Sequence, residues 1–231
     1  SGALFTFIIA VRQPRGRKRF GLFLVFYLFV ALATLAKGLI GIALPGAVIF
    51  LWVLLLNRWK MLWPFYPISG TFLLLAIAAP WHVLAAQQNP DFLNFYFVHE
   101  HWQRFLTREH NRYQPWWFFL PVLVVASLPF TPLLLTALVR ALRQVDPASD
   151  SKPPALLGGG ASGKVAGSLH AASHSLPQFA ACRLLAVLLF FTVAATKLPS
   201  YWIPATPAAG LLIAWAASWL SNKPPTAERT Y

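Results

Sequence analysis

The densest chemistry in this sequence is the run HEHWQRF, His99 to Phe105. Two histidines, a glutamate and an arginine fall within seven residues of a 231-residue chain that is 58% hydrophobic and 11% charged. On a helix Phe97, His101 and Phe105 stack at a spacing of four, and Glu100 precedes Arg104 by the same step, which favours a local ion pair. An imidazole can ligate a divalent metal or donate to phosphate oxygens. A guanidinium fork matches phosphate. Arg104, Arg108 and Arg112 recur every four residues, as a ladder that would hold something anionic. The plain alternative is a surface helix with one salt bridge, since a single histidine is not a metal site.

Two lysines extend the pattern. Lys37 lies in ATLAKGLIG and Lys197 in ATKLPSYWIPATP, each at the edge of an apolar stretch, and Tyr201 follows Lys197 by four residues. Charges beside membrane helices face a cavity or a partner, or they snorkel to the interface. Tyr201 suits either an aromatic belt or a hydrogen bond to phosphate.

The elements that would position these residues are membrane helices. Apolar segments run at about 2–11, 20–36, 39–56, 66–81, 116–139, 178–196 and 202–221, close to the length that spans a bilayer core except for the first. The expected fold is all-α, a polytopic transmembrane bundle. The basic breaks after the first, third, fifth and seventh segments (Arg12 to Arg19, Arg58 with Lys60, Arg140 to Lys164, and Lys223 with Arg229) share one side by parity. The positive-inside rule makes that side cytoplasmic.

The organisation read from this is transmembrane helices over 1–145, with an outer loop at about 82–115. A flexible cytoplasmic linker follows over 146–177, then two more spans and a polar tail over 178–231. In the outer loop, Asn89-Pro90-Asp91 reads as the start of an interfacial helix reaching about Thr107. The net charge of +13 sits in the breaks, which argues against nucleic acid as a partner. GGGASGK is followed by Val165 and so lacks the hydroxyl a phosphate loop requires; His170 and His174 read as solvated linker residues. The lone Cys182 excludes a disulfide within the chain. The chain opens on Ser1, directly before an apolar stretch, and is expected to be a fragment lacking an N-terminal part.

Four stretches taken together, LAKGLIGIALPG, PWHVLAAQQNPDFLNFYFVHEHWQRFL, HNRYQPWWFFLPVLVVASLPF and TKLPSYWIPATPAAGLLIA, resemble a family of bacterial polyprenyl-phosphate-dependent glycosyltransferases. These are the aminoarabinose transferases of lipid A and their relatives, akin to protein mannosyltransferases and of GT-C type. The resemblance implies a bacterial inner-membrane enzyme that takes a sugar from a polyprenyl-phosphate donor and passes it to a lipid or protein acceptor at the outer face. It implies phosphate handling by Lys37, Lys197 and Tyr201, a basic loop position at Arg104, and divalent-metal binding in which His101 takes part. The family's key acidic residues are expected in a loop upstream of Ser1. No carboxylate here inherits their role, and the fragment alone is expected to be inactive. The competing readings are a lipid or solute transporter, against which the absence of an internal repeat counts, and a non-catalytic piece working with a separate N-terminal half.

Overall fold

The computed structural model describes residues 1–92, 94–96, 114–143, 161–194 and 197–221, with side chains from Leu176 onward in the fourth of these stretches. Every regular element among them is helical. The order is α1 (Gly2–Arg12), α2 (Arg17–Lys37), α3 (Ile40–Leu56), a one-turn α4 (Trp59–Leu62) and α5 (Pro67–Gln88). A 3-10 turn (Trp116–Phe118) then leads into α6 (Phe119–Ala126) and α7 (Thr131–Arg143). Helix α8 (Ala161–Val193), a second 3-10 segment (Pro199–Ala205) and α9 (Thr206–Ser221) complete the chain. Four helical stretches are long and apolar enough to cross a membrane: Arg17–Lys37, Pro67–Gln88, Leu176–Val193 and Pro199–Leu220. A bent pair raises the number to five, and α1 and α3 are shorter apolar helices. All seven apolar segments read from the sequence are therefore helical, and the all-α polytopic expectation holds.

The boundaries differ in three places. The fifth segment is two helices meeting at 117°. The break falls in SLPFTP, where Pro129 and Pro132 cannot donate to a helix. Ser127 Oγ and Thr131 Oγ1 take over locally, bonding the carbonyls of Leu123 at 2.6 Å and Val124 at 2.9 Å. Second, α8 begins at Ala161, so residues 161–177 are helical where a flexible linker was expected. Three glycines precede this stretch, and within it Ala, Leu and Lys favour helix with no proline before Pro177. The rest of the linker, 146–160, lies outside the described residues. Third, residues 82–88 belong to α5 and not to the outer loop. Of the interfacial helix only its first turn is described, with Phe95 N–H donating to Asp91 O at 2.9 Å.

Side-chain contacts fix which ends of the helices lie together. Arg19, only 5% exposed near the start of α2, donates to the carbonyls of Val11, Gln13 and Met61. The breaks around residues 12–19 and 57–66 therefore share one end of the bundle. Phe7 stacks on Phe179, which sets the Leu176 end of α8 at that same end. The 3-10 segment runs back down α8: Tyr201 stacks on Phe191 at 4.7 Å, and the Pro204 carbonyl meets Arg183 at 2.9 Å. Helix α9 continues in that direction until Trp219, whose ring lies 4.1 Å beneath the Arg140 guanidinium. Arg12, Arg19, Arg58 and Arg140 thus gather at one end, as the parity argument required. Lys37, Gln88 and Lys197 lie at the other.

Two cores flank α8. One joins α1, α2 and α3 to Phe179, Cys182 and Ala186. The other joins α6, α7 and α9 to Ala180, Ala181, Leu184, Val187 and Phe191.

Candidate functional site

Lys37 is the last residue of α2 and is exposed. Gly38 ends the helix with φ of 70°, a left-handed conformation that favours glycine, and its N–H returns to Thr34 O at 2.8 Å. The chain then re-enters the membrane at once. A Cβ on Gly41 would lie 2.5 Å from the backbone of Ala33 and Thr34, so only glycine lets α3 start this close to α2. That crowding fixes the backbone that carries Lys37 at the end of the hairpin, where the helix C-terminus also favours a cation.

Lys197 behaves differently. It lies four residues past the end of α8 and is only 5% exposed, so it does not snorkel into water. Its Nζ donates to the carbonyls of Ala194 at 2.8 Å and Gln114 at 3.1 Å. Burial pulls its pKa below the usual lysine value. Both partners are neutral, and they are the two hydrogen bonds that Nζ makes among the described residues. A buried ammonium whose described partners are two neutral carbonyls still lacks a counter-charge, which suits an anion. Tyr201 sits one turn on, in the 3-10 segment that Pro199 begins, half-buried, with its ring on Phe191. Its hydroxyl makes no hydrogen bond among the described residues.

Lys37, Lys197 and Tyr201 are therefore brought to the same end of the bundle, Lys197 and Tyr201 on one continuous strap. No hydrogen bond among the described residues joins Lys37 to the other two. His101 and Arg104 lie outside the described residues, as do Arg108 and Arg112. Among the described residues no three His, Cys, Asp or Glu side chains gather as a metal site.

Two features of this region and its surroundings escaped the sequence reading. His82 accepts or donates through both ring nitrogens, to Ala78 O at 2.8 Å and to the Tyr96 hydroxyl at 3.1 Å, inside a cluster with Trp81 and Phe92. Burial raises the Tyr96 pKa. This cluster anchors the start of the outer loop to the top of α5. The other feature is Arg183, 3% exposed within the apolar stretch Leu176–Val193. A lone charge in such a stretch is the signal that could have found it.

These observations define a class: a polytopic helical membrane protein with an exposed lysine, Lys37, and a buried one, Lys197, at one end of its spans. No family model matches the chain. It is 30% identical over 212 residues to the undecaprenyl phosphate-alpha-4-amino-4-deoxy-L-arabinose arabinosyl transferase of Erwinia tasmaniensis, a match covering 92% of this chain and 34% of that protein. It is 34% identical over 142 residues to an enzyme of the same description from Proteus mirabilis, covering 61% of this chain and 26% of that protein. Its fold matches the crystal structure of ArnT from Cupriavidus metallidurans bound to undecaprenyl phosphate, with a TM-score of 0.72 and 28% identity, over 96% of this chain and 35% of that one. The apo structure of that protein gives 0.68 at 27% identity, over 95% and 36%. By sequence and by fold the chain is related to the undecaprenyl-phosphate aminoarabinose transferases, membrane glycosyltransferases of GT-C type, as its motifs implied. It spans about a third of the length of these relatives.

Proposed function

We propose that this chain is part of an integral membrane glycosyltransferase that moves a sugar from a polyprenyl-phosphate-linked donor to a lipid or protein acceptor. The reaction takes place at the outer face of the bacterial inner membrane. The observation that carries the reading is the match, over nearly the whole chain, to a structure with undecaprenyl phosphate bound.

In the reaction the bond between the anomeric carbon and the donor phosphate oxygen breaks, and the leaving polyprenyl phosphate keeps the electron pair. The acceptor oxygen forms the new bond; where it is a hydroxyl, its proton must go to a base. Charge grows on the leaving phosphate, and cations preset against it act as electrostatic catalysts. Lys197 has the character for this: it is buried, held by two carbonyls among the described residues, and in this proposal it gives a further N–H to a phosphate oxygen. Tyr201 offers a neutral hydroxyl donor one turn away. Lys37 adds positive charge at the same end, and in this proposal Arg104 of the outer loop read from the sequence adds more. In this proposal His101 supplies one nitrogen ligand to a divalent metal, which would contribute further charge when bound. The phosphate steps are assigned to this chain's own cations.

The reading is tested in the complete protein by measuring sugar transfer and membrane insertion together. Lys37→Ala and His101→Ala are each expected to lower the rate about 100-fold, the loss typical of one electrostatic donor, with insertion unchanged. Full transfer by both variants would overturn it.

A further inference from the structure

We propose that the cavity between the two cores receives a carboxylate: an Asp or Glu side chain on a membrane-spanning helix outside these 231 residues, paired with Arg183. The cavity has a volume of about 320 Å³ and is lined by Arg183 with Ser1, Ala33, Pro45, Val187 and Pro204 among others. Arg183 is 3% exposed. Its Nη2 donates to Ser1 Oγ and to Pro204 O, both at 2.9 Å, and its Cζ lies 5.8 Å from the Phe5 ring centroid. Its buried Nε makes no hydrogen bond among the described residues. Both of its described hydrogen-bond acceptors and the Phe5 ring are neutral.

Depth decides what the counter-charge is. Arg183 precedes the end of α8 by ten residues, roughly 15 Å of helix. That is about half of a ~30 Å bilayer core. A lipid phosphate resides at the interface and would have to be drawn that whole distance into the hydrocarbon. A carboxylate on a spanning helix arrives at that depth with its helix. Charges at mid-membrane pair with one another or face a bundle interior. With Nη2 already committed to Ser1 Oγ and Pro204 O, the unbonded Nε–H is the donor left for a carboxylate oxygen, and a charge-assisted bond there is stronger than one to a neutral acceptor.

The acid must come from elsewhere. The six acidic residues of this chain are Asp91, Glu100, Glu109, Asp146, Asp150 and Glu228, and none lies in its membrane-spanning stretches. The relatives it matches carry most of their length outside the matched part, which makes a polypeptide partner the natural source. The pairing would lock such a helix to the seam where α1, α8 and the 3-10 segment meet. It goes beyond the sugar-transfer reading and does not depend on it.

The test uses the complete protein in its own membrane. Leu32, on the cavity wall, is replaced by the photo-crosslinker p-benzoylphenylalanine with Arg183 intact, and crosslinked peptides are identified by mass spectrometry. The expected product joins Leu32 to an apolar segment bearing an Asp or Glu. In parallel, Arg183→Lys should keep the yield of folded protein, and Arg183→Gln should lower it several-fold, although Gln can still donate to Pro204 O. Neutralising the identified acid in the Arg183→Gln background should restore the yield. Crosslinks to lipid alone or only within these 231 residues would overturn the proposal, as would Arg183→Gln folding as well as the parent.

Discussion

The two cores on either side of α8 are filled by opposite means. Around α1 the filling is rings. Phe7 is fully buried and contacts Phe23, Phe26, Trp52, Phe65 and Phe179 with centroids 5.8–6.4 Å apart, mostly edge-on or tilted. Around α9 the filling is methyl groups. Ala137, Ala141, Ala180, Ala181, Ala205, Ala208, Ala209 and Ala216 are all buried. In lipid, burying apolar surface brings no gain over leaving it in the hydrocarbon, so helices associate through packing and polar bonds. Aromatic edges provide packing by filling volume between helices held apart; alanines provide it by letting backbones approach. The broken span α6–α7 and the 3-10 segment both belong to the alanine side, and that side also carries Lys197 and Tyr201. Close backbone packing tolerates irregular backbone at membrane depth because neighbouring groups satisfy it. The ring-filled side instead keeps α1, α2 and α3 as continuous helices and presents the hairpin that ends in Lys37.

The largest effect expected from breaking this contrast is at Phe7. Phe7→Ala would leave a hole ringed by five aromatic side chains. It should lower stability by ~3 kcal/mol, the low end of the usual Phe→Ala range, because the transfer part of that cost is missing in lipid. Equilibrium unfolding in mixed detergent would measure it; a loss under ~1 kcal/mol would mean that the rings repack freely. The opposite perturbation tests the other side. Ala208→Leu overfills a fully buried position on α9 and should cost about 1–3 kcal/mol in the same assay. It should also shift the 3-10 segment. Altered crosslinking between cysteines placed at Tyr201 and Phe191, the pair stacked at 4.7 Å, would report that shift. An unchanged crosslink would argue that close packing does not hold the strap.

Much of this was legible in the sequence because a membrane imposes a coarse and strong code. Long apolar runs had to be helices, and arginines at alternate breaks had to share an end, as Arg19 and Arg140 do. Other features depended on weaker local signals. SLPFTP reads as one more apolar stretch to a hydropathy count, yet its two prolines, aided by Ser127 and Thr131, divide a span into α6 and α7. Residues 161–177 have the composition of a linker, but alanines recur among the scattered glycines and serines and no proline interrupts them before Pro177, and α8 extends through them. Lys37, Lys197 and Tyr201 were found because they stand at the ends of apolar runs, where a charge or a hydroxyl is conspicuous. Arg183 was hidden because one charge hardly changes the average of an eighteen-residue apolar window. That Lys197 is buried against two carbonyls, while Lys37 is exposed, depends on the tertiary fold and no sequence pattern announces it.

The central claim is that the cations at the outer end of the bundle hold a polyprenyl phosphate, with Lys197 as the desolvated grip. Equilibrium binding of polyprenyl phosphate to the complete protein, compared with Lys197→Gln, tests it most directly. Glutamine can keep a hydrogen bond to Ala194 O or Gln114 O while removing the charge. The account predicts an affinity about tenfold weaker or worse, the equivalent of ~1.4 kcal/mol, with the fold intact. An affinity equal to that of the parent protein would contradict it.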